Sequence, residues 1–362
     1  MFYYLSELRE VFSALNIFRY ITFRAGMAAV TTFLLCLIFA PFFIKKLKQW
    51  KIQEIAKRHD CPDLDRFQES KEGTPTMGGL FIIGSIVLSV LLWADLSNAY
   101  VLVTLLTCVW LAVLGWIDDY MKLTRRGSKR GLNKRTKLFW EIMIGIIVGS
   151  YLYSHPQAST RLDIPFFKTL VVDLGLFYIP FVALVVVGTS NAVNFTDGLD
   201  GLAIGCVLMV SITFAALSYI SGHLNFSEYL FLPFVPGAGE LAVFCAAIVG
   251  ASLGFLWFNC HPATIFMGDV GSLALGGTLG TIAVLIKKEL ILALAAGVFV
   301  IEAVSVIMQI SSFKLTGKRI FKMSPLHHHL QLSGWHESKI ITRFWILAII
   351  FALLTLTTLK IR

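Results

Sequence analysis

The chain has 362 residues, of which 57% are hydrophobic and only 15% charged, and its mean hydropathy is +0.76. These values exclude a soluble protein with a polar surface and define a polytopic integral membrane protein. The formal net charge of +9, from 31 Lys and Arg against 22 Asp and Glu, suits anionic headgroups or phosphorylated substrates; nothing in its pattern calls for nucleic acid.

The N-terminal segment does not read as a signal peptide, because Glu7, Arg9, Glu10 and Arg19 interrupt it and no short apolar core precedes a cleavage site. The first apolar run is expected to be an uncleaved anchor. Apolar stretches near 24–44, 77–95, 100–117, 138–153, 174–190, 201–219, 240–258, 271–286, 290–310 and 341–359 are read as membrane spans. The expected fold is all-α, about ten transmembrane helices in a single membrane-embedded domain over 1–362, with none of the alternation of barrel strands. Six scattered cysteines, Cys36, Cys61, Cys108, Cys206, Cys245 and Cys260, form no CxxC pair and read as small packing residues.

Basic residues in short loops stay cytoplasmic and so orient the chain. After the first span come Lys45, Lys46, Lys48, Lys51, Lys57, Arg58, Arg66 and Lys71; after the third, Lys122, Arg125, Arg126, Lys129, Arg130, Lys134, Arg135 and Lys137. With Lys314, Lys318, Arg319, Lys322 and Lys339, that side holds 21 of the 31 basic residues. Both termini are then expected on the periplasmic side, with four polar clusters at the cytoplasmic helix ends.

The first cluster is Asp118–Asp119, where the third span meets a basic loop. Neighbouring residues on a helix point about 100° apart, so separate roles are expected, one acid near a metal and the other near a substrate; a solvated helix end accounts for the pair equally well. In the second, Asn191, Asn194, Asp197 and Asp200 recur every third residue beside Gly198 and Gly201, which suits either a polar lining or an Asx-rich turn. Asp269 opens the eighth span, where a carboxylate caps a helix or binds a hard cation; oxygen ligands favour Mg2+ or Mn2+ over zinc. His327, His328 and His329 cannot all ligate one ion from a regular helix, so phosphate binding or local hydrogen bonding is the better reading. The basic loops suit anionic lipid as well as phosphates. Glu302 lies within the ninth span and needs a partner or an aqueous cleft; a Lys or His from a loop is a candidate.

Gly73-Thr-Pro-Thr-Met-Gly-Gly79, the Asp118–Asp119 pair, NFTDGLDGLA from Asn194, FLWFN ending at Asn259, FMGDVGSLALGG from Phe266 and the His triplet follow one another in this order. Together they resemble the family of phospho-N-acetylmuramoyl-pentapeptide transferases, within the polyprenyl-phosphate N-acetylhexosamine-1-phosphate transferase superfamily. The resemblance runs from the first span to the last. It implies transfer of phospho-N-acetylmuramoyl-pentapeptide from its UDP-linked form to undecaprenyl phosphate in the bacterial cytoplasmic (inner) membrane, giving lipid I and UMP. Mg2+ is the implied cofactor, with Mn2+ as substitute, and a homodimer is compatible with the family.

By the same resemblance Asp269 is the principal metal ligand, with Asp118 and Asp119 near both metal and lipid phosphate and Asp118 activating that phosphate. Lys71, Asp200, Asn259 and Phe266 would hold the uridine, Phe266 stacking on the base. Thr76, Lys122, Lys134, Asn191, Asn194 and Asp197 would line the substrate and phosphate region. His328 joins the catalytic set, with His327 and His329 beside it on the substrate-binding rim. Leu330, where family members often carry an aromatic residue, and the acidic stretch Asp60, Asp63, Asp65 and Glu69 depart from the pattern and bear on fine specificity. A sister enzyme transferring N-acetylglucosamine-1-phosphate would share the aspartates, but the unbroken His triplet and Ser333-Gly-Trp335 favour the muramoyl-pentapeptide substrate. A secondary transporter should place ionisable groups near mid-membrane within two related halves, and no such halves are evident.

Overall fold

A computed structural model describes residues 1–10, 12–50, 52–53, 71, 73–124, 131–155, 159–164 and 171–360. Lys51, Lys57, Arg58, Arg66, Arg125, Arg126, Lys129, Arg130, Lys168 and Arg362 of the basic segments, the acidic stretch Asp60 to Glu69, and Cys61 lie outside the described residues. Long helices dominate: α1 (Ile21–Gln49), α2 (Gly79–Trp93), α3 (Ala99–Thr124), α4 (Lys134–Ser154), α5 (Tyr178–Thr196), α6 (Leu202–Ser221), then short α7 (Leu224–Tyr229), followed by α8 (Leu241–Asn259) and α9 (Gly268–Leu285). Short α10 (Glu289–Ala295), α11 (Gly297–Thr316), short α12 (Leu326–Leu332) and α13 (Glu337–Thr357) complete the chain. A two-stranded antiparallel hairpin, β1 (Arg161–Asp163) with β2 (Val171–Asp173), joins α4 to α5.

Every predicted span coincides with helix, and among the described residues eight helices are long and apolar enough to cross a membrane. Two rods fall outside that set. α2 has 15 residues, about 22 Å at 1.5 Å per residue, short of a hydrocarbon core of about 30 Å. α4 begins with Lys134, Arg135 and Lys137, which lower its apolar content. The predicted span at 290–310 is broken: α10 stops at Ala296 (φ −90°, ψ 23°) and α11 starts at Gly297.

The core is built around α9, in which every residue from Val270 to Leu285 is buried. Its small residues permit this, because without bulky side chains neighbouring backbones approach closely, as in membrane bundles. Added Cβ atoms would stand 2.1 Å from the Gly271 nitrogen if placed at Gly79 and 2.5 Å from the Thr189 carbonyl if placed at Gly276. α2, α3 and α5 thus close on α9 from different sides. α8 packs on α1 and α6, and α4 on α5. Large apolar side chains such as Phe42 on α1, Ile307 and Phe313 on α11 and Leu353 on α13 remain exposed, the side-chain character expected at a lipid boundary.

Both ends of the bundle carry buried polar groups. At the end away from Asp269, the Arg24 guanidinium donates to both Glu240 carboxylate oxygens (2.6 and 2.5 Å) and to the Trp93 carbonyl. There too the Lys287 ammonium donates to the Tyr178 hydroxyl at 2.7 Å, which donates to Glu289 at 2.5 Å. The four sequence clusters gather at the opposite end. Cys36, Cys108, Cys206 and Cys245 are buried, as expected for packing residues, whereas Cys260 is exposed at the end of α8.

Candidate active site

α3 continues past the apolar run to Thr124, so Asp118, Asp119 and Lys122 all sit in its final turns. The two carboxylates turn to different neighbours, as their angular separation requires. Asp118 Oδ1 accepts the Leu132 amide at 2.6 Å and its Oδ2 lies 3.3 Å from Lys137 Nζ. Asp119 Oδ2 accepts the Val270 amide at 3.3 Å, in the first turn of α9, where unsatisfied N–H groups favour an acid.

Asp269 projects from that same turn. Its Oδ2 is 2.5 Å from Lys137 Nζ and 3.0 Å from Lys122 Nζ. Lys122 Nζ also lies 3.0 Å from Asp118 and 3.3 Å from Asp119, so one ammonium touches all three acids. Gly268 makes the approach possible: its φ is +75°, and a Cβ there would stand 2.6 Å from Asp119 Oδ2 and 3.4 Å from Thr76 Oγ1. Thr76 therefore borders the same cluster.

The Asn194–Asp200 run leaves its helix partway. Asn191 and Asn194 are on the last turns of α5, Asp197 is its C-cap and is half-buried, and Asp200 lies in the turn before α6. Asn194 accepts from Ser272 of α9 at 2.8 Å, and Asn191 donates to buried Glu141 of α4 at 2.5 Å. Asp200 belongs to a second group. Lys71 Nζ donates to Asp200 (2.7 Å) and Glu337 (2.6 Å), His261 Nδ1 is 3.0 Å from Asp200 Oδ2, and the Ala263 amide donates to the same oxygen at 3.1 Å. Burial alone would lower the Lys71 pKa; Glu337 and Asp200 outweigh it and hold the ammonium above the ordinary lysine value.

Lys71 Nζ lies 5.9 Å from the centroid of the half-buried Phe266 ring, which offers a face for a flat base. Asn259 stands behind, buried: its side-chain oxygen accepts the Gly201 amide at 2.9 Å and its nitrogen donates to the Ile265 carbonyl at 2.8 Å. In this arrangement it clamps the start of α6 to the loop that carries Phe266. The three histidines sit on α12 in unlike settings. His327 is buried against Glu302; His328 Nδ1 pairs with Gln331 at 2.9 Å; His329 Nδ1 accepts the Lys322 amide at 3.1 Å.

Three polar residues that the sequence reading did not place in the site occupy it. Lys137, one turn beyond the exposed Lys134 on α4, reaches Asp118 and Asp269; at i and i+3 the two lysines share a helix face, so spacing alone does not tell them apart. His261 and Glu337 join Asp200 from distant segments, which no local pattern reveals.

Two groups invite comparison as cation sites. Asp200, His261 and Glu337 place one ligand atom each within 4.8 Å of one another, a tighter set than Asp118, Asp119 and Asp269. Its imidazole, however, suits transition metals more than magnesium. The three aspartates offer oxygen alone and already converge on a positive charge at Lys122 Nζ, so their donor set fits a hard divalent cation.

Fold and site define an integral membrane protein with three acids and two lysines clustered at one end of its helices. Comparison with known proteins narrows the class: the family described as glycosyl transferase family 4 matches residues 101–287, and phospho-N-acetylmuramoyl-pentapeptide-transferase signature 1 matches residues 71–83. The chain is 51% identical over 361 residues to the phospho-N-acetylmuramoyl-pentapeptide-transferase of Thermodesulfovibrio yellowstonii, covering 99% of both chains. It is 51% identical to that of Citrifermentans bemidjiense, with both chains covered completely, and 48% identical to that of Desulforapulum autotrophicum over the full length of each. The chain belongs to the phospho-N-acetylmuramoyl-pentapeptide-transferase family and is a membrane transferase.

Proposed function

We propose that this protein transfers phospho-N-acetylmuramoyl-pentapeptide from its UDP-linked form to undecaprenyl phosphate, producing lipid I and UMP in the first membrane step of peptidoglycan synthesis. The observation that supports this best is the convergence of Asp118, Asp119 and Asp269 on Lys122 and Lys137, close to the Gly268–Thr76 corner that leads to Phe266 and Lys71. An oxygen of the lipid phosphate attacks the sugar-linked phosphorus of the UDP-sugar. The anhydride bond to UMP breaks, and its electron pair stays on the UMP phosphate.

Lys122 and Lys137 hold the charge of the reacting phosphates, and Asp118 orients the acceptor. A phosphate monoester is mostly ionised at neutral pH, its second pKa being about 6, so alignment outweighs proton removal. Asp269, with Asp118 and Asp119, would hold Mg2+ or Mn2+, which when bound neutralises the diphosphate and the departing UMP. Phe266 stacks on uracil beside Lys71 and Asp200, with Asn259 supporting the pocket; Asn191, Asn194, Asp197 and Lys134 line the approach for the phosphates and sugar. His328, flanked by His327 and His329, closes the rim.

The whole chain then acts as one domain of ten spans in the bacterial inner membrane, with periplasmic termini, the site on the cytoplasmic face and a homodimer as the assembly. Release of UMP by purified protein tests this, with undecaprenyl phosphate, Mg2+ and either UDP-N-acetylmuramoyl-pentapeptide or UDP-N-acetylglucosamine. Release with the muramoyl substrate alone is expected. Release with the glucosamine substrate alone would assign the sister reaction, and none with either in folded protein would overturn the transferase reading for this chain.

A further inference from the structure

A carboxylate inside a membrane span is costly unless something compensates it. Glu302, on α11, is fully enclosed, and what it meets is the first histidine of α12. Its Oε1 accepts the His327 backbone amide at 3.2 Å, and its Oε2 lies 3.3 Å from His327 Nδ1, within ion-pair distance though not aligned as a hydrogen bond. The imidazole is as enclosed as the acid. Neither ring nitrogen has a hydrogen-bond partner among the described residues, so the acid meets Nδ1 by charge alone; the other nitrogen, Nε2, faces Gly198, where an added Cβ would stand 2.3 Å from it. Gly198 separates Asp197 from Leu199 and Asp200 in the turn that follows α5. The ring of His328 packs against that of His327 at an interplanar angle of 60°, centroids 4.2 Å apart.

We infer that Glu302 is a positioning residue: from within its span it holds the proton of His327 on Nδ1 and aims Nε2 at the Gly198 turn, so that the His segment and the phosphate-lining turn move as one unit. The logic is that of any histidine oriented by an acid on one nitrogen and used through the other. An unpaired imidazole nitrogen buried against glycine also explains the residue at 198, since any side chain would take the ring's place. The role in turnover rests on the transferase reading above; the protonation of the ring does not.

Two measurements on the purified full-length protein test it separately. In 15N spectra of histidine-labelled protein, the wild type should show a signal of the Nδ1–H form that disappears in His327→Asn and shifts in Glu302→Gln; an unchanged histidine spectrum in Glu302→Gln overturns the inference even if no activity is found. In UMP release, Glu302→Gln should lower kcat on the order of 10–100-fold, by analogy with acids that orient metal-ligating histidines, with the KM for the nucleotide substrate within about twofold of wild type. Glu302→Asp should restore part of that loss. Combining Glu302→Gln with His327→Asn should cost no more than His327→Asn alone. A merely structural acid predicts the reverse, because a neutral amide sits more easily in an apolar span: full turnover in Glu302→Gln, or losses that multiply in the double variant, would refute the coupling.

Discussion

Asp269→Asn removes the charge that pairs with both Lys122 and Lys137. Turnover is expected to fall to background while the protein still inserts and purifies; near-normal UMP release at ordinary Mg2+ would displace Asp269 from its role. Phe266→Ala should raise the KM for the UDP-sugar more than it lowers kcat, because a stacking face stabilises ground and transition states alike; an unchanged KM would count against stacking. The aspartates stood out in the sequence as acids at the ends of apolar runs, whereas Phe266 was singled out only by the family resemblance. Lys137 was hidden among equivalent lysines, and His261 and Glu337 are drawn to Asp200 only by folding.

Helices were legible because about 20 apolar residues in a row leave few alternatives in a bilayer. Their interruptions were not: the break at Ala296 lies inside an unbroken apolar stretch, and no Pro or polar residue announces it. The close approach of α3 to α9 depends on glycine in a way that pattern reading passes over. Gly268→Ala forces a residue with φ +75° and a Cβ 2.6 Å from Asp119 Oδ2, which should cost about 1–2 kcal/mol for the backbone alone and displace the carboxylate as well. Loss of thermal stability together with loss of kcat is expected, and wild-type behaviour in both would show that the turn relaxes freely.

Across the whole molecule, the buried Arg24–Glu240 pair lies at the end of the bundle opposite Asp269. Arg24→Met leaves Glu240 buried without its partner, and breaking such a pair typically costs about 3–5 kcal/mol, which a drop in unfolding temperature should reveal. The double variant Arg24→Met/Glu240→Leu should recover much of it, and the fraction that stays folded should turn over normally because the pair lies away from Asp269; a single variant as stable as wild type would show that the pair contributes little. At the working end, stripping divalent cations should stop UMP release and returning Mg2+ should restore it, whereas full activity in chelator would remove the metal from the proposal.

The enclosure of α9 also bears on how such an enzyme can be inhibited and how it can escape. The backbone around Asp269 is packed at Gly79, Gly115 and Gly271, positions where even one added carbon collides with neighbouring backbone or a side chain, so it has little room to change in response to a compound bound at the aspartate. Resistant variants selected against it should therefore carry their substitutions on the half-open margin, at Phe266, His261 or the basic rim, and leave the helix that presents the aspartate unaltered.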